Sequence, residues 1–133
     1  MPLIKPRGVV HFSIPVSDLE VSKRFYVDLL GLNFLRESPA FQMMFLSVGK
    51  DYVVLAKSET PIRPNAEGSR RVHHAFAVEP HAYEAAKDVL REHGVEIMDE
   101  EIRNTGTFPG RQFYIHDPDG NVIELSEFDG KAY

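Results

Sequence analysis

The sequence predicts an α+β fold: two tandem βαβββ modules forming a curved mixed sheet. Three observations lead there. A strand-helix-strand-strand-strand order occurs twice, offset by about 62 residues. The two copies open on matching segments, His11-Phe12-Ser13-Ile14-Pro15-Val16 and His73-His74-Ala75-Phe76-Ala77-Val78. A helix signal follows each segment and ends at a glycine, Gly31 or Gly94. Neither copy alone could bury both its sheet face and its helix, so the two are expected to pack together, or across a dimer.

In module one, about residues 8–57, Val9 to Ile14 reads as a strand because it is rich in β-branched and aromatic residues. Ser17 and Glu20 have the spacing of a capping box. Leu19, Ser22, Phe25, Tyr26, Leu29 and Leu30 then follow helical spacing. Three strands are expected next, Asn33 to Arg36, Phe41 to Val48 and Tyr52 to Lys57, the last two joined by a turn at Gly49-Lys50-Asp51. Residues 58–70 hold Pro61, Pro64 and Gly68 and read as a linker.

Module two, about residues 71–128, repeats the order. Val72 to Val78 is a strand, and Pro80 suits the first turn of a helix. Ala82, Ala85, Ala86, Val89 and Leu90 form its apolar stripe. Val95 to Ile102, Arg111 to His116 and Asn121 to Glu127 complete the set, and the tail from Asp129 should fray. His81 and His93 fall on the helix surface.

The chain has 133 residues, enough for one domain, 1–133, built from these modules. A net charge of -5 without a long basic block argues against nucleic acid or an anionic membrane as partner. The absence of cysteine excludes disulfides, thiolate ligands and a cysteine nucleophile, and fits a cytoplasmic location. No apolar stretch approaches the ~20 residues of a membrane helix, and Met1 to Arg7 lacks a secretory h-region.

Chemistry concentrates in His11, His73 and Glu124, each on an apolar strand segment. Two imidazoles and one carboxylate can hold a divalent metal and leave positions open for substrate. A lone strand histidine is more often packed core. Equivalent histidines in two repeats raise the odds, because pseudo-symmetry brings both to one cavity. His74 competes with His73, but neighbours on a strand face opposite sides, and register with His11 favours His73. The turn Asp117-Pro118-Asp119-Gly120-Asn121 should set Glu124 against Tyr114. Tyr114 is then a candidate proton carrier or hydrogen-bond donor, with Gln112 and His116 as substrate contacts on the same strand face. No phosphate-binding loop, nucleophile elbow or His-Glu-x-x-His motif occurs.

Beyond these residues, the chain resembles the vicinal oxygen chelate superfamily of glyoxalase, fosfomycin-resistance, bleomycin-resistance and extradiol dioxygenase proteins. The carriers are His11 to Leu19, Phe25-Tyr26-Val27-Asp28-Leu29-Leu30-Gly31-Leu32, His73-His74-Ala75-Phe76 and Phe113 to Glu124. The resemblance implies paired βαβββ modules around a metal-containing cavity, His11, His73 and Glu124 as metal ligands, and Tyr114 as an active-site tyrosine. It also implies a homodimer, in which the first histidine joins the other two ligands from the same chain or from a partner. The ion implied is Fe(II) or Mn(II) first, with zinc or nickel as other options. Where glyoxalases carry a second glutamate, this sequence reads Val54, which argues against isomerisation of the usual glyoxalase kind.

The expected function is a divalent-metal enzyme acting on a small substrate that chelates through vicinal oxygens. Three ligands and no glyoxalase base tilt the reading toward extradiol-dioxygenase-like cleavage. A fosfomycin-resistance-like or glyoxalase-like lyase or transferase is the alternative. A protein that captures a small ligand or drug without turnover is the rival from another class.

Overall fold

The computed structural model describes residues 2–60 and 62–130. Pro61 of the expected linker and residues 131–133 of the expected frayed tail lie outside the described residues, as does Met1. The chain divides into two compact units, Met1–Ile62 and Arg63–Tyr133. The fold is α+β, and each unit has the βαβββ order with its own four-stranded mixed sheet.

Unit one comprises β1 (Phe12–Val16), α1 (Leu19–Lys23), β2 (Asn33–Ser38), β3 (Met43–Val48) and β4 (Asp51–Lys57), in sheet order β1-β4-β3-β2. β1 runs parallel to β4 and the other pairs are antiparallel. The N-cap of α1 is Asp18 rather than Ser17: its carboxylate accepts from the Glu20 and Val21 amides at 2.9 and 3.1 Å. A carboxylate at a helix N-terminus also meets the positive end of the peptide dipoles. The helix then widens into a π-helical segment, Arg24–Leu29, with Leu30 donating to the Phe25 carbonyl five residues back. Apolar spacing alone does not distinguish this from an α-helix. Ile14, Val16, Tyr26, Met44, Leu46 and Leu55 are essentially sealed from solvent. Each contributes roughly 1.5–3 kcal/mol of burial.

Two strand ends differ from expectation. Val9, Val10 and His11 precede β1 and are exposed, so β1 begins one residue after the histidine. Phe41 is exposed and outside β3 because Gln42 has φ 52°, which breaks the strand before Met43. A bulge interrupts β2 between Phe34 and Arg36.

Unit two comprises β5 (His73–Ala77), α2 (Tyr83–Glu92), β6 (Asp99–Arg103), β7 (Gly110–His116) and β8 (Val122–Ser126), in sheet order β5-β8-β7-β6. A 3-10 turn at Pro80–Ala82 leads into α2. The buried positions of α2 are Tyr83, Lys87 and Leu90, whereas Ala85 and Val89 of the expected stripe are exposed. Polar bonding turns the helix this way. The Lys87 ammonium and the Tyr83 hydroxyl both donate to Glu100 on β6, at 2.7 and 2.6 Å. β6 is shorter than the expected Val95–Ile102 strand, because the Val95 amide is taken by the Leu90 carbonyl closing the helix.

The turn between β7 and β8 is tightly specified. Asp117 accepts from the Asp119 and Asn121 amides at 2.9 and 2.8 Å and from the Asn121 side chain at 2.9 Å. Gly120 supplies the φ of 86° that the turn requires. The result is the register Tyr114 opposite Glu124, with Ala75 on the other side of Glu124. In unit one the same register sets Phe45 opposite Val54, with Ser13 across from it. Val54 and Phe45 thus hold the places of Glu124 and Tyr114.

Candidate metal centre and substrate cavity

Strand alternation sends Phe113, Ile115, Ile123 and Leu125 into the core of unit two. It sends Gln112, Tyr114, Glu124 and Ser126 to the opposite face. That face lines a cavity of about 410 Å³, which His73 also borders.

His73 is held from behind. Its Nδ1 lies 2.7 Å from the Arg70 carbonyl oxygen. A carbonyl only accepts, so Nδ1 carries a proton, and in the neutral ring Nε2 presents its lone pair. Nε2 is 4.0 Å from Glu124 Oε1. A backbone carbonyl fixing the remote nitrogen of a histidine is the usual support of a metal-binding imidazole. His73 and Glu124 therefore fit a divalent ion in donor type and in tautomer.

Tyr114 completes the cluster. Its ring meets the His73 ring edge-on at 5.8 Å, and the Arg70 guanidinium covers it at 4.1 Å from the centroid. Burial first, and then the neighbouring Glu124 carboxylate, push the Tyr114 phenol up to about 12. The hydroxyl is a proton donor at neutral pH. Gln112 is buried and gives its amide to Glu101 at 3.3 Å.

His116 stands apart. It is exposed at the far end of β7 and is not among the residues lining this cavity. His74, whose side chain alternates away from the cavity, has its pKa lowered by burial first and then by the His73 charge, with Asp117 opposing. His81 and His93 are exposed, as expected of helix-surface residues.

His11 belongs to unit one. It lines a cavity of about 650 Å³ there with Arg36, Phe45, Tyr52 and Val54. Within either unit, no three His, Asp or Glu side chains among the described residues are gathered tightly enough to hold an ion.

Sequence reading expects residues 58–70 and 103–110 to flank the cavity mouth and bear on specificity, and gives Arg70, Arg103, Phe108 and Phe128 no individual roles. Arg70 ties Tyr114 to β6 through Asp99 at 3.4 Å and Glu101 at 3.2 Å. Arg103, Phe108 and Phe128 line the cavity beside the cluster. The one sequence signal was the aromatic Phe108 inside an otherwise polar, glycine-rich segment.

The chain belongs to the Glyoxalase/Bleomycin resistance protein/Dioxygenase superfamily, whose sequence model matches residues 8–125. This is the vicinal oxygen chelate superfamily. Among curated relatives it is similar to the uncharacterized protein YwkD of Bacillus subtilis, 35% identical over 91% of this chain and 97% of the relative. It is also similar to the glutathione transferase FosA of Serratia marcescens, 30% identical over 86% of this chain and 77% of the relative. Among solved structures it superposes on a mutant of the fosfomycin resistance protein FosX from Listeria monocytogenes, complexed with Mn(II) and 1S,2S-dihydroxypropylphosphonic acid. That match has a TM-score of 0.73 and 18% identity over 93% of this chain and 92% of the other.

Proposed function

We propose that this protein is a divalent-metal-dependent enzyme that adds a nucleophile to, or opens, a small oxygenated substrate chelated through adjacent oxygens. The observation that carries the proposal is the His73 imidazole locked with Nε2 toward Glu124, beside a neutral Tyr114 in an open cavity. The superfamily match and a transferase relative at 30% identity support it. They favour the fosfomycin-resistance-like alternative over the dioxygenase-like chemistry to which the sequence reading leaned; nothing found supports oxidative cleavage in particular.

In this reading His11, His73 and Glu124 hold the ion, Mn(II) or Fe(II) before others, and the active species is a homodimer. A bound ion supplies a Lewis acid that draws electron density from the chelated oxygens. Tyr114 donates its proton to the oxygen released as the nucleophile's bond to carbon forms and the carbon–oxygen bond breaks. Gln112 offers its amide to the substrate. His116, exposed outside the cavity, is left without a role.

The test is metal content by plasma mass spectrometry on anaerobically purified wild type and Glu124→Ala, followed by turnover of fosfomycin with glutathione or water. Near-stoichiometric metal that disappears in the variant, with an opened phosphonate product, is the expected result. Metal-dependent catechol cleavage under oxygen would restore the oxidative alternative. A wild type that holds no metal even after reconstitution would leave a ligand-binding protein as the better account.

A further inference from the structure

The cavity of unit two continues past the residues just assigned. From Tyr114 and Glu124 its floor runs through the register partners Gln112 and Ser126 to Phe128. β8 ends at Ser126, and Phe128 follows two residues beyond it, its amide donating to the Ser126 hydroxyl at 3.1 Å. Arg103 on β6 is in register with Gly110, but its guanidinium turns back to the Glu101 oxygen that also accepts from Gln112, toward Tyr114 and Glu124. Phe108 reaches the Phe128 end from the preceding loop and meets that ring edge-on at 5.3 Å. The loop returns through Gly110 at φ 114°, where an added Cβ would lie 3.0 Å from the Glu127 side chain.

Two properties of this cavity are unexplained by the proposed chemistry. Phe108 is 56% exposed although it borders the cavity and has a ring partner, so an apolar surface is held ready without being covered. Arg103 brings a guanidinium anchored to Glu101 at 2.7 Å, and Arg70 shares that carboxylate. Of the residues lining the cavity Arg103 and Glu124 carry opposite charges, a balance that a divalent ion would turn positive. A positive, partly apolar cavity favours an anion with a hydrophobic extension. Its volume of about 410 Å³ lies within the ~300–1,000 Å³ of pockets that enclose drug-sized ligands. A bare chelating head would leave the aromatic end empty.

We propose that Arg103, Phe108 and Phe128 determine specificity by taking an anionic chelator whose alkyl or aryl tail extends from the His73–Glu124 end to the aromatic pair. The proposal rests on the metal reading above and adds the substrate class. Arg103 pairs with the acid group, and the two rings cover the tail. Gln112 and Ser126, between the two ends, flank the middle of the molecule.

The test is calorimetric titration of Mn(II)-loaded protein with lactate, 3-phenyllactate and the uncharged 3-phenylpropane-1,2-diol. Phenyllactate should bind about tenfold or more tighter than lactate, the gain expected from covering a ring. Phe108→Ala combined with Phe128→Ala should abolish that ratio and leave lactate unchanged. Arg103→Gln should weaken both acids about tenfold and the diol hardly at all, with Arg103→Lys recovering part of the loss. Equal binding of lactate and phenyllactate, or a ratio that survives in the aromatic double variant, would overturn the proposal. Metal content on each sample separates the two failures. Full metal without discrimination sinks the specificity assignment alone; absence of metal sinks the enzyme reading and this assignment with it.

Discussion

The Arg70 carbonyl takes the Nδ1 proton of His73 at 2.7 Å and so leaves Nε2 free toward Glu124, 4.0 Å away. The acceptor in this constraint is main chain, so no side-chain substitution at residue 70 removes it directly. Arg70 contributes twice: its carbonyl sets the histidine and its guanidinium lies on the Tyr114 ring at 4.1 Å.

Under the proposed function, loss of His73 or Glu124 should remove the ion, because the two line one cavity and no other His, Asp or Glu among the described residues lines it. His73→Ala and Glu124→Ala are expected to purify without metal, and His11→Ala likewise if the three act together. The wild type should melt higher loaded than after chelation: an ion at a hundredfold its Kd stabilises by about 2.7 kcal/mol. Differential scanning fluorimetry with and without EDTA reads this directly. A chelator-dependent shift that persists in Glu124→Ala would place the ion elsewhere.

Tyr114→Phe separates chemistry from metal binding. The ring contacts with His73 and Arg70 survive the substitution, and only the hydroxyl is lost. Metal content should stay at the wild-type level while kcat falls about 10²–10⁴-fold, the usual contribution of a positioned acid. An unchanged kcat with a raised KM would recast Tyr114 as a binding residue.

Acid and alkali should unfold unit two through one cluster on the other face of its sheet. Glu100 accepts from Lys87 and Tyr83, and these bonds, Lys87 first, hold its carboxyl below the ordinary value. Its contribution is present above the unfolded carboxylate value near ~4.3 and disappears as pH falls through the depressed folded value. Tyr83, raised by burial first and then by Glu100, and Lys87, raised first by its bond to Glu100, act in the opposite direction. Their contribution is complete below their unfolded values near ~10 and is lost as pH rises through the higher folded ones. Glu100→Gln should cost about 1–2 kcal/mol at neutral pH, the lower end applying because the carboxylate is partly exposed. Urea unfolding from pH 3 to 11 checks it. A variant whose acid limb is as steep as that of the wild type would show that Glu100 is not responsible.

Much of this was legible in the sequence because its information is local. The βαβββ repeat follows from periodicity and glycine stops. The pairing of Tyr114 with Glu124 follows from a turn whose Asp117, Gly120 and Asn121 allow one geometry. Strand alternation set His73 and His74 on opposite faces, and register with His11 chose between them. What escaped depends on groups distant in sequence. Lys87 is buried because Glu100 waits on β6, which no helical pattern reveals. Asp18 and Ser17 are both good caps, and only the backbone selects between them. Arg70, Arg103 and Phe108 gain roles from the registers of β5 to β8 and from a loop, so their neighbours in sequence say little.

The pseudo-symmetry of the two units yields the last prediction. Val54 occupies in unit one the register place of Glu124, is buried at 6% exposure between Ser13 and Phe45, and lines the unit-one cavity with His11. Val54→Glu would bury a carboxylate there. In metal-free protein this should cost about 2–4 kcal/mol, and the new side chain should titrate above the usual carboxylate range. If His11 shares the ion with His73 and Glu124, a carboxylate two strand positions from its register partner becomes an extra donor. Mn(II) should then recover more stability in the variant than in the wild type, and its affinity should rise. Melting curves against Mn(II) concentration for wild type, Val54→Glu and the double variant Val54→Glu with His11→Ala distinguish the cases. A gain that vanishes with His11 ties unit one to the metal. No gain at all would mean that the Val54 face and the ion do not meet, and that His73 and Glu124 hold it without His11.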